Sequence, residues 1–107
     1  MNRIKISPKG QNYEIHGAEY GIEYKLNKRN GELVVIATKF NSPFFQYIKR
    51  NYGKDKNIKK ITIIAKEIED YPIIPSNIIL IIDRQLDLNA SVEDYIKMLY
   101  GDKFTKS

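Results

Sequence analysis

The densest chemistry in this chain is a basic stretch. Residues 49–60 hold six cations in twelve positions: Lys49, Arg50, Lys54, Lys56, Lys59 and Lys60, with Tyr47 and Tyr52 alongside. Ammonium and guanidinium groups neutralise phosphates, and an exposed aromatic ring gives a base something to stack on. Cations interleaved with tyrosines are therefore a footprint for nucleic acid. Lys28 and Arg29, with Lys25 and Lys39, extend it on a predicted hairpin. A plainer account competes: cations favour the last turn of a helix, where the macrodipole is negative, and loops are polar in any case. On that account Tyr52 belongs to the core.

A second set of residues is acidic. Glu67, Glu69 and Asp70 follow one aliphatic run, and Asp83, Arg84 and Asp87 follow another. Polar residues just beyond a strand often line the ligand crevice of an α/β protein, and paired carboxylates can move protons. A solvated strand end, or an acidic contact surface for a partner, accounts for them equally. Residues 87–93 alternate oxygen-bearing side chains as a calcium loop does, but Val92 stands where the loop needs glycine and Met98 where it needs a bidentate glutamate. An EF-hand is excluded. His16 is the only histidine, and no serine or cysteine nucleophile is placed beside it by sequence. The six glycines are isolated, so none forms a phosphate-cradling loop. Without cysteine there is neither a disulfide framework nor a thiolate zinc site. No zinc-finger, RNA-recognition, KH or homeodomain signature is present. No catalytic residue, cofactor or metal is assigned.

Charge is unevenly spread over the 107 residues. The net charge is +5, but residues 1–60 carry 13 basic and 5 acidic side chains (net +8) and the remainder 5 and 8 (net −3). Such a division steers a polyanion to one side of a molecule. Abundant Ile, Lys, Asn and Tyr all have A/T-rich codons, so part of the lysine content is compositional, and arginine, the better phosphate fork, occurs only four times. No apolar run approaches the ~20 residues of a membrane helix. The run 78–82, five residues and as long as any, ends at Asp83, and charges interrupt the apolar N-terminus, which is no signal peptide. These features predict a cytoplasmic protein with no membrane partner.

The elements that must position these residues begin with two extended segments, 3–7 and 13–16, around a turn at 8–12. Tyr20, Ile22, Tyr24 and Leu26 then alternate with polar residues at strand period. Asn30-Gly31 tolerates the positive φ angles of a two-residue hairpin, which sets Leu26 opposite Val35 and Tyr24 opposite Ala37. Val34 and Ile36 make the other face of the return strand, 32–39, apolar too, so that strand needs cover on both sides. Asn41-Ser42-Pro43 starts a helix carrying Phe44, Phe45, Ile48 and Tyr52, with Gly53 after its end. Residues 60–65, extending towards Ile68, and 77–82 read as buried strands. Their Pro-containing connection is short for a helical crossover, which predicts a hairpin-like return. A second helix starts at Ser91 with Val92, Tyr95, Ile96 and Leu99 as its apolar stripe.

This order predicts an α+β fold: a single small domain over 1–107, with a mixed β-sheet of five to six strands, two α-helices packed on it, and 103–107 as a frayed tail. If the strands at 32–39 and 60–65 are parallel, the first helix is their crossover. The functional expectation is a basic, non-enzymatic protein that binds nucleic acid by phosphate contacts from Lys49, Arg50, Lys54, Lys56, Lys59, Lys60, Arg29 and Lys28. The alternative is a self-associating protein-interaction module, a homodimer, because eight tyrosines and open strand edges call for partners. A third reading is a motif-less hydrolase or nuclease using Asp83, Glu67 or His16.

Overall fold

In a computed structural model, the chain builds one six-stranded mixed sheet whose strands lie in sequence order: β1 (Arg3–Ile6), β2 (Tyr13–Glu19), β3 (Ile22–Arg29), β4 (Glu32–Phe40), β5 (Lys60–Ile68) and β6 (Ile78–Ile82). The structure describes residues 3–6, 13–29, 31–92, 94, 95 and 97, and for 3–6, 13, 14, 16 and 29 the backbone alone. The expected turn at 8–12 and tail at 103–107 lie outside the described residues. Strands β1 to β4 are antiparallel neighbours, whereas β4, β5 and β6 run parallel. Helix α1 (Ser42–Tyr52) is the crossover between β4 and β5, since the two strands do run parallel, the condition on which that expectation rested.

The β3–β4 register is the predicted one, with Leu26 opposite Val35 and Tyr24 opposite Ala37. That register is forced by alternation: a slip of one residue would turn every buried side chain to the wrong face. Two cores result. Ile22, Tyr24, Leu26, Leu33, Val35, Ala37, Ile61, Ile63 and Ala65 face α1, which fills the space above them with Phe44, Phe45 and Ile48. Full burial of each phenylalanine contributes roughly 1.5–3 kcal/mol. On the opposite face, Val34, Ile36 and Ile64 are covered by Leu86, Val92 and Tyr95. The apolar second face of β4 was thus a correct sign of cover on both sides. Of the predicted second helix, Val92, Asp94, Tyr95 and Lys97 are helical, and Ser91 Oγ accepts the Asp94 N–H at 3.0 Å as an N-cap does. The remaining positions of its stripe, Ile96 and Leu99, lie outside the described residues.

Three expectations need correction. Tyr20 belongs to a turn rather than to the strand. Tyr20 and Gly21 have φ of 55° and 75° and join the paired residues Glu19 and Ile22, a two-residue hairpin of the positive-φ kind. Gly53 does follow α1, but with φ −69° rather than in the left-handed region; what favours glycine is space, since a Cβ there would stand 2.6 Å from the Lys49 carbonyl oxygen. The third correction is the largest. β6 is parallel to β5, not a hairpin return, with Ile78 level with Ile61 and Ile82 level with Ala65. The chain must therefore travel back the length of β5, seven residues or about 23 Å at strand rise. The nine residues 69–77 are too few for a helix, yet nine extended residues reach ~30 Å. Pro72 and Pro75 favour such an extended course, and Ile74 pins it to the α1-side core.

Candidate nucleic-acid interface

Because β4 and β5 are parallel and α1 runs back between them, the end of α1, the start of β5 and the β3–β4 turn all lie at one end of the sheet. The loop 53–59 is fastened there. Gly31, with φ 80°, presents its carbonyl oxygen to the N–H groups of Lys59 at 2.6 Å and Lys60 at 3.3 Å. Asp55 is the second anchor. Its carboxylate accepts the Lys28 ammonium at 2.8 Å and the Asn57 N–H at 2.8 Å, and its carbonyl accepts the Ile58 N–H at 3.0 Å. The Lys28 ammonium, followed by the Asn57 N–H, holds the Asp55 carboxyl below the usual aspartate range. Ile58 is buried and closes the loop onto the α1-side core.

The structure brings the two basic segments, 28–29 and 49–60, to this one end. Arg50, Lys54, Lys56, Lys59 and Lys60 are exposed. Among the described residues, Arg50, Lys54, Lys56 and Lys59 have no carboxylate partner. The other predicted contacts are more occupied. Lys28 is paired with Asp55, and Lys60 lies 3.9 Å from Glu32, whose other partner is the Thr62 hydroxyl at 2.8 Å. The Lys49 ammonium sits 5.3 Å over the Phe45 ring. Arg29 ends β3 opposite Glu32, with only its backbone described.

The tyrosines do not form the expected stacking platform. Tyr52 is half-buried against the core. Tyr47 is engaged by three rings: it lies stacked with Phe44 at 6.4 Å and edge-on to Tyr24 and Tyr20 at 6.3 Å each, its hydroxyl 3.3 Å from that of Tyr24. Burial, then the Tyr47 hydroxyl, push the Tyr24 phenol far above its ordinary value, so it stays neutral. Among the described residues, this end therefore presents exposed cations without an exposed aromatic ring beside them. Sequence reasoning passed over Asp55 and Gly31, which hold the cations in place. The Asp55-Lys56-Asn57 run was the available signal, since an aspartate accepting the N–H two residues on is a common turn.

The far end carries the acidic residues. Glu69 accepts the Asn41 amide at 3.0 Å and the Lys39 ammonium at 3.3 Å, which together hold its carboxyl below the usual range. Asp70 accepts the Ser42 hydroxyl at 2.6 Å. Both sit at the N-terminus of α1, whose first turn has no acid of its own, so they supply the negative charge its dipole favours. Asp83, just past β6, accepts the Tyr95 hydroxyl and the Gln85 N–H, and its carboxyl is held low by them in that order. Glu67 is exposed beside Lys39 in register, and of His16 only the backbone, paired with Arg3 and Lys25, is described. No group of three potential metal ligands occurs among the described residues, and no described helix is long and apolar enough to cross a membrane. Comparison with known families, with curated proteins and with solved structures finds no match to this chain. Its chemistry has to be read from these residues themselves.

Proposed function

We propose that this protein binds nucleic acid through its basic end, contacting phosphates rather than bases. The observation that carries this reading is the convergence of two basic segments around the Gly31 and Asp55 anchors, which leaves Arg50, Lys54, Lys56 and Lys59 exposed and, among the described residues, without carboxylate partners. A fixed array of cations with no structural task costs self-repulsion, and a polyanion relieves it. Binding by phosphate contacts is sequence-tolerant and salt-sensitive. Four contacts predict a log–log salt slope of about −4 on duplex DNA and a shallower one on single strands. Fluorescence anisotropy with labelled DNA and RNA at two salt concentrations tests this, and reversal of the four cations to glutamate should abolish the binding. Retained, salt-independent binding in that variant would reject the site.

The alternative of a protein-interaction module has its own support at the β6 edge of the sheet. Of the groups considered for a hydrolytic reaction, Asp83 is engaged by the Tyr95 hydroxyl and the Gln85 N–H in holding the fold, which favours a binding protein over an enzyme.

A further inference from the structure

The exposed large hydrophobic residues are not scattered. Six occur among the described residues, and five of them, Ile68, Tyr71, Ile73, Ile79 and Ile82, lie on the end of β5, the crossover and β6. Among the described residues, β6 is the outermost strand on that side and is bonded on one side only, to β5. It contains no charge, proline or glycine, the usual protections of an open edge. Its backbone directions follow from two bonds: the Asn77 carbonyl accepts from Ile61, and the Asp83 N–H donates to Ala65. Odd-numbered residues of β6 thus address β5, and Ile78, Leu80 and Ile82 direct their backbone groups outward. The Ile78 N–H is already taken by the Pro75 carbonyl at 3.1 Å. The N–H groups of Leu80 and Ile82 and the carbonyls of Ile78 and Leu80 are left facing out.

We propose that this edge pairs with β6 of a second copy, antiparallel and centred on Leu80. The strand Ile78-Ile79-Leu80-Ile81-Ile82 is a palindrome. A two-fold axis through Leu80 sets Leu80 against its own counterpart, Ile79 against Ile81 and Ile78 against Ile82, every pair aliphatic and on a common face. The same axis joins the outward groups in two pairs of bonds, Leu80 to Leu80 and Ile82 N–H to the Ile78 carbonyl. This self-complementarity favours a second copy over a strand of another protein, and charge does not oppose it. The antiparallel arrangement lays the acidic end of one copy, with Glu67 and Glu69, beside the basic end of the other, with Lys59 and Lys60, three strand spacings or about 14 Å away. Beyond the palindrome, Asp83 and Arg84 meet the neutral Asn77 and Ser76, so no like charges oppose. A five-residue edge buries less than the ~1,600 Å² of a standard interface, which makes the dimer weak and concentration-dependent.

Sedimentation equilibrium of the full chain without nucleic acid, over the micromolar to millimolar range, should show a monomer–dimer equilibrium. Ile79→Lys, which places a charge on an exposed position of the edge, should shift it to monomer. Amide hydrogen exchange of the native chain provides a readout independent of that variant's folding. Protection at Leu80 and Ile82 should rise with protein concentration, while Ile79 and Ile81, bonded to β5, stay protected throughout. A monomeric mass at every concentration would overturn the proposal, and so would a dimer whose Leu80 and Ile82 amides exchange freely.

Discussion

The two ends of the sheet carry opposite charge and use it differently. At the acidic end the charges hold the fold: Glu69 and Asp70 meet Asn41, Lys39 and Ser42 at the start of α1, and Asp83 receives the Tyr95 hydroxyl. At the basic end Lys28 is locked in a short ion pair with Asp55, while exposed Arg50, Lys54, Lys56 and Lys59 have no carboxylate partner among the described residues. Cations near the end of α1 do favour its dipole, and Lys49 and Arg50 sit in its last turn. That effect fades within one turn, however, and does not reach Lys54, Lys56 or Lys59. Charge without a structural role is where a charged partner should act.

The largest effect expected from this contrast is on binding. Reversing Arg50, Lys54, Lys56 and Lys59 to glutamate should lower affinity for DNA or RNA by 100-fold or more, on the order of the change expected when four phosphate contacts turn repulsive. The melting temperature should stay near that of the native chain. Anisotropy and thermal melts on the same samples check both. At the other end the effects should exchange places. Asn41→Ala removes the acceptor of the Phe44 N–H at 2.9 Å and the donor to Glu69. It should destabilise the fold by about 1 kcal/mol, as loss of an N-cap does, with affinity unchanged. A change in binding in this variant, or a large loss of stability in the charge-reversed one, would mean that the two ends do not divide these roles.

Acid titration sharpens it further. The Asp83, Glu69 and Asp55 carboxyls are held low in the folded chain by their donors. A depressed folded pKa gives stability that is present above the unfolded pKa, about 4 for these groups, and is lost as pH falls through the folded value. The melting temperature should therefore drop on acidification below about pH 4, and Asp83→Asn should flatten that drop. An unchanged pH profile in this variant would contradict the Tyr95 link. The smallest expected effect concerns Asp55→Asn, which keeps an acceptor for the Asn57 N–H while removing a negative charge from the basic end. It should tighten nucleic-acid binding by a few-fold, about the effect of one further unneutralised cation near the phosphates.

Much of the fold was legible locally. Alternation gave the β3–β4 register, Asn41-Ser42-Pro43 gave the start of α1, and Val34 with Ile36 announced cover on both faces. The direction of β6 was not legible, because it depends on how far the Pro72–Pro75 connection extends rather than on any local preference. Tyr20 was misplaced because alternation carries one step into a turn that only Gly21 marks. The basic stretch was visible as composition, but its union with Lys28 depends on an Asp55 contact 27 residues away. The roles of Glu69 and Asp70 had a faint local sign, a helix whose own first turn lacks an acid.

If the basic end binds phosphates, as proposed, the native chain's affinity for a labelled duplex must depend on salt. Saturable binding is expected, with the logarithm of the affinity falling linearly with that of salt at a slope of about −4. Absence of binding at low salt, or binding indifferent to salt, would contradict it.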